Sequence, residues 1–117
     1  MQAPKIQTAI PQRRYQLGPY QAVVLGDIES GDGVRYRYIL ALVREGEAKP
    51  SLYVTAEKNP RARWHEGSHR MRIIADTLTD ELGSSDRWAE LDAFASEALR
   101  LAAQVLGLGE QTAQRIQ

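Results

Sequence analysis

The sequence predicts an α+β domain, a three- to five-stranded antiparallel meander packed against a long C-terminal helix. Two observations predict it. Three β-rich stretches follow one another with only short turn-forming segments between them, the pattern of hairpin-joined strands. After them, apolar residues recur every three to four positions, the pattern of a helix with one buried stripe. The length of 117 residues suits one domain. No internal repeat or internal linker divides it, so residues 15–109 are taken as a single domain.

Residues 1–14 are Gln-rich, contain two prolines and show no period, and are expected to form a mobile tail. Residues 20–28 (YQAVVLGDI) are β-rich, and the Ser30-Gly31-Asp32-Gly33 cluster after them is a hairpin signal. Residues 34–43 (VRYRYILALV) form the clearest strand. Alternation puts Val34, Tyr36, Tyr38, Leu40 and Leu42 on one face and Arg35, Arg37, Ile39, Ala41 and Val43 on the other. A turn follows at 45–50, then a third strand at 52–56 (LYVTA).

The stretch 70–82 fits two periods. As a helix it would align Met71, Ile74, Ala75, Leu78 and Leu82, between Ser68 as N-cap and Gly83 as C-cap. As a strand it would align Met71, Ile73 and Ala75, with Thr77 and Thr79 favouring the strand. The final helix is better marked. Ser84, Ser85 and Asp86 offer N-caps, Trp88, Leu91, Ala95, Ala98, Leu99, Ala102, Val105 and Leu106 form the stripe, Phe94 and Leu101 widen it, and Gly107 is the expected stop. Residues 110–117 are expected to fray.

The helix can cover only one face of the meander. The other carries Val23, Leu25, Ile39, Ala41 and Val43 among Arg35 and Arg37. A helical 70–82 would cover that face. A strand there leaves it partly open, to be covered either by a second copy in a homodimer or by the stems of Arg35 and Arg37 alone.

Composition narrows the chemistry. With no cysteine, the chain has no disulfide, no thiolate metal site and no cysteine nucleophile. No apolar run of signal-peptide or membrane-spanning length is present, so the expectation is a cytoplasmic protein with no membrane partner. Net charge is zero but unevenly spread. Between Lys58 and Arg72 five bases face one acid, and between Asp76 and Glu97 seven acids face Arg87. Adjacent blocks of opposite sign can attract each other or present two faces.

Residues 65–69, His65-Glu66-Gly67-Ser68-His69, match H-E-x-x-H. The match resembles the zinc metallopeptidases, in which two histidines one helical turn apart bind the metal and the glutamate takes a proton from its water. That resemblance implies a zinc-dependent hydrolase with His65 and His69 as ligands and Glu66 as base. Against it, Gly67 and Ser68 weaken the helix the motif needs, and Arg63, Arg70 and Arg72 crowd the site with positive charge.

Arg61, Arg63 and Trp64 together with Arg70 and Arg72 instead form a basic stretch with one aromatic, which Arg35 and Arg37 extend if their strand lies alongside. Such a surface suits an anionic partner. Zero net charge makes nucleic acid the less favoured form of that partner. There is no phosphate loop, dinucleotide fingerprint or G-x-S-x-G elbow, and so no cofactor or catalytic set to assign. The sequence thus favours a small non-catalytic binding or protein-interaction domain, its biological role not written in its residues.

Overall fold

The computed structural model describes residues 3–58, 67–76, 78–109 and 113–116. It contains β1 (Ile6–Leu17), β2 (Tyr20–Ser30), β3 (Tyr36–Arg44), β4 (Leu52–Lys58), β5 (His69–Ala75), β6 (Thr79–Ser85), a 3-10 helix (Asp86–Ala89), α1 (Leu91–Val105) and the two-residue β7 (Gln114–Arg115). The strands form one seven-stranded sheet in the order β6-β5-β4-β3-β2-β1-β7, every pair antiparallel. The α+β meander with its helix is as expected, but the sheet is larger than three to five strands.

Both ends of the chain account for part of the difference. Residues 6–14, expected in a tail, are most of β1 and pair with β2. Their Gln, Thr and Pro composition hides the strand, because most of it lies on exposed backbone at the sheet edge. Residues 114–115, expected to fray, add β7 outside β1 at Tyr15 and Gln16. The stretch 70–82 is the remaining source: it is strand, turn and strand, and Gly83 lies within β6 at φ +100° rather than capping a helix.

Cross-strand rows build the core. On the helix side, Tyr15, Ala22, Leu42, Leu52 and Ala75 form one row. Arg13, Val24, Leu40, Val54 and Ile73 form the next. Tyr38, Ala56 and Met71 form a third. Phe94, Ala95, Ala98, Leu99, Ala102 and Ala103 of α1 pack on these rows. The alanines let the helix approach closely, and Phe94 fills the gap, its ring stacked on Tyr38 at 5.5 Å between centroids.

The helix is shorter than the apolar stripe predicts. Ser85 caps the 3-10 helix by accepting from the Arg87 N–H at 3.1 Å, and Glu90 is extended (φ −99°, ψ 131°). The α-helix therefore starts after Trp88, which is half-buried against the core from the 3-10 turn. Gly107 stops the helix as expected. At φ +69° it lets Leu108 N–H reach Ala103 O (2.9 Å) while its own N–H reaches Gln104 O (3.3 Å), a Schellman ending. Val105, assigned to the buried stripe, is 41% exposed in the last turn.

Register shifts interrupt β1–β2 three times and β3–β4 and β5–β6 once each, and such bulges bend strands. The chain just before β1 and the β5–β6 turn consequently line one hollow, although β1 and β5 are four places apart in the sheet. In a flat sheet they would be separated by about 19 Å. Ile39, Ala41 and Ile74 on the second face are buried within one chain, while Val23, Leu25 and Val43 are half-buried. Among the described residues no helix is long and apolar enough to cross a membrane.

Candidate anion-binding site

The charged residues of interest lie at one end of the second face. Alternation along β5 puts Arg70 and Arg72 on the same side, and register sets Arg70 beside Glu57 and Arg72 beside Thr55 of β4. Glu57 is fully buried, and buried carboxylate oxygens need hydrogen-bond partners. Its Oε1 accepts from Arg70 Nε (3.3 Å) and Nη2 (3.1 Å). Its Oε2 accepts from Arg72 Nε (2.6 Å) and the Thr55 hydroxyl (2.7 Å). No buried side-chain polar atom among the described residues lacks a partner. Arg70 also lies 3.9 Å from Glu81 on β6, so the basic and acidic blocks of the sequence meet across the β5–β6 hairpin.

Two depressions flank this ionic knot. The smaller, about 450 Å³, is lined by Gly33, Val34, Arg35, Lys58 and Arg70. Arg35 and Lys58 are brought together by backbone pairing, the Lys58 N–H donating to Arg35 O at 2.8 Å. Both residues are exposed. Three cations from β4, β5 and the segment before β3 thus share one cleft, and among the described residues only Arg70 of the three is tied to a carboxylate.

The larger hollow, about 980 Å³, has Lys5, Val34, Tyr36, Arg72, Ile74 and Leu78 among its walls, with Asp32 and Asp76 also at its rim. The Asp32 carboxylate is the centre of a small knot. It accepts from Lys5 N–H (3.1 Å), Val34 N–H (3.1 Å) and the Tyr36 hydroxyl (2.8 Å). Burial would raise its pKa, but these hydrogen bonds, that from Tyr36 foremost, outweigh it and hold the group below its ordinary value. Burial, reinforced by the Asp32 acceptor and charge, pushes the Tyr36 phenol well above its own.

Alternation along 34–43 puts Tyr36 under the helix with Tyr38. The structure corrects this: Tyr36 pairs with Glu57 while Tyr38 pairs with Ala56, so a bulge between them reverses the alternation. Tyr38 goes to the helix side, and Tyr36 to the hollow. The same bulge separates the arginines of that strand. Arg37 turns toward the helix side, its Nε donating to Ala89 O at 3.2 Å and its guanidinium 4.7 Å from the Tyr38 ring centroid.

Of the residues expected to form a basic surface, the structure therefore unites Arg35 and Arg70, sends Arg72 to the adjoining hollow and takes Arg37 elsewhere. Arg61, Arg63, Trp64, His65 and Glu66 lie outside the described residues. His69 is the first residue of a strand, with Ser68 Oγ 2.8 Å from its Nδ1. Burial, and then the charges of Arg37 and Lys58, lower its pKa against the opposing pull of Asp86. No group of three or more His, Asp or Glu side chains able to hold a metal ion occurs among the described residues. Before it, Gly67 (φ +80°) lies so close to β6 that a Cβ would sit 2.7 Å from Ser85 N.

Sequence reasoning missed Glu57, Lys58, Lys5 and Asp32 as parts of this region. The sign was available for the first two: continuing the third strand beyond residue 56 puts Glu57 on the Thr55 face and Lys58 at the strand end, next to the arginines. Lys5 and Asp32 carried no local sign, because they meet only where the pairing of β1 with β2 runs on past Ile6 and Ser30, and β1 itself was hidden in the expected tail. No family model matches the chain, and neither the curated proteins nor the solved structures supply a match.

Proposed function

We propose that this protein is a small binding module that takes an anionic group, a phosphate or a carboxylate, in the cleft between Arg35, Lys58 and Arg70. The observation that carries this is the convergence of three cations on one concavity, with Arg70 oriented by a buried acid and two exposed partners beside it. Glu57 holds the Arg70 guanidinium through Nε and Nη2, with Nη1 3.9 Å from Glu81, and its fixed position lowers the entropy lost on binding. Arg61, Arg63 and Trp64 follow Lys58 within a few residues of chain, and an anionic partner larger than one group would draw on them. The reading assigns no bond-making step.

The test is an NMR titration of ¹⁵N-labelled protein with inorganic phosphate at low ionic strength. Shifts are expected to cluster at residues 33–35, 58 and 70. The double substitution Arg35→Ala/Lys58→Ala is expected to weaken binding roughly tenfold, because each exposed cation contributes under about 1 kcal/mol. Affinity should fall as salt rises. Phosphate that leaves the spectrum unchanged, or shifts that survive the double substitution, would remove the proposal.

A further inference from the structure

The cationic cleft and the larger hollow are neighbours on one face. Val34 is a wall of both. Arg70 lines one and Arg72 the other, and a two-residue step along a strand separates them by about 7 Å. Glu57 sits behind the division and holds both guanidiniums, one on each carboxylate oxygen.

The chemistry of the two compartments differs. The cleft has only positive charge at its walls. The hollow is mixed: Lys5 and Arg72 are balanced by Asp32 and Asp76, and Val34, Ile74 and Leu78 give apolar surface beside the Tyr36 side chain. A second anion gains little in such a balanced pocket. A neutral, flat body does better, with apolar faces against the aliphatic walls and hydrogen-bonding edges toward the carboxylates and Thr79. A ligand carrying both parts, an anionic head joined by a short polar spacer to a heteroaromatic ring, matches the pair of compartments in order and spacing.

We infer that the cleft and the hollow form one bipartite site for a nucleoside monophosphate, with the phosphate between Arg35, Lys58 and Arg70 and the base in the hollow against Ile74 and Leu78. This rests on the anion reading of the cleft and adds to it the class of ligand. The sugar crosses the ridge at Val34. Asp76 and Thr79 at the far rim meet the edge of the base, while both oxygens of Asp32 are already engaged by Lys5, Val34 and Tyr36.

The experiment compares AMP, ribose 5-phosphate and inorganic phosphate by NMR titration of the full chain, with Leu78→Asp as the hollow variant and Arg35→Ala/Lys58→Ala as the cleft variant. Leu78 is 38% exposed, so its substitution leaves the core intact, and a far-UV CD spectrum checks this. AMP is expected to bind at least tenfold more tightly than either ribose 5-phosphate or phosphate, shifting residues 74–79 as well as 33–35, 58 and 70. Leu78→Asp should abolish that advantage and leave phosphate binding unchanged. AMP no tighter than phosphate would overturn the bipartite site while leaving the anion cleft standing. Absence of binding by all three would overturn both. AMP binding that persists in the cleft variant would show a site in the hollow alone, and would also overturn the inference.

Discussion

The two faces of the sheet exclude water at their centres by different means. On the helix side, the rows through Leu42, Leu40 and Tyr38 are apolar across β3, β4 and β5, and α1 lays an alanine-rich surface over them with Phe94 in its first turn. On the opposite side, Ile39, Ala41 and Ile74 are buried with no helix over them among the described residues, and next to them sits a charged knot of Glu57, Arg70, Arg72 and Thr55. The first face is held by shape and area, which are tolerant of chemistry. The second depends on each polar atom having its partner. The difference lies in what each surface keeps: the second face retains charge, depressions and an ionic scaffold, the features on which the proposed anion site draws.

Substitutions on each face test that difference. The largest expected effect is on the helix side. Phe94→Ala empties the contact with Tyr38 and should cost about 3–5 kcal/mol in urea unfolding. Glu57→Gln should cost less, about 1–3 kcal/mol, although Glu57 is equally buried. Arg70 and Arg72 side chains are 32% and 26% exposed, so both guanidiniums can turn to water when the carboxylate charge is lost. A cost for Glu57→Gln above that of Phe94→Ala would mean that the knot, not the apolar rows, dominates stability.

Gly67→Ala asks how tightly the chain entering the second face is fixed. Positive φ and the closeness of Ser85 backbone predict a loss above about 1 kcal/mol in the same measurement, and a neutral outcome would mean that the β5–β6 end relaxes freely. Tyr36→Phe should cost about 1 kcal/mol by removing the hydroxyl donated to Asp32. It also changes the acid response. The folded-state pKa of Asp32 lies below its unfolded value of about 3.8, so its stabilising contribution is present above that value and is lost as pH falls through the folded pKa. Without the Tyr36 hydroxyl the Asp32 carboxyl should titrate closer to its ordinary value, readable by carboxyl ¹³C shifts. No movement would show that the backbone N–H groups alone set it.

The smallest effect belongs to a link between sheet and helix. Arg13 is paired with Asp92 in the first turn of α1 and donates to the Tyr15 hydroxyl at 3.4 Å. Asp92 is 86% exposed, so Arg13→Ala should cost about 0.5 kcal/mol and less at high salt. A loss of several kcal/mol would show that the helix is held by this pair rather than by its apolar stripe.

The part of the molecule legible in its residues is the part governed by local rules. Turn residues at 30–33 and 45–50, alternation within 38–43 and 52–56, the helical stripe from Leu91 to Ala102 and the Gly107 stop are all set by backbone and burial preferences acting over a few residues. The tertiary structure decided what depends on distant partners. Residues 6–17 and 114–115 became strands because neighbouring edges offered them hydrogen bonds. One bulge moved Tyr36 from the helix side to the hollow and parted Arg37 from Arg35. Strand pairing carried Lys5 to Asp32 and set Arg70 against Glu57, because hydrogen bonds and charges act through space between residues that the chain itself keeps far apart.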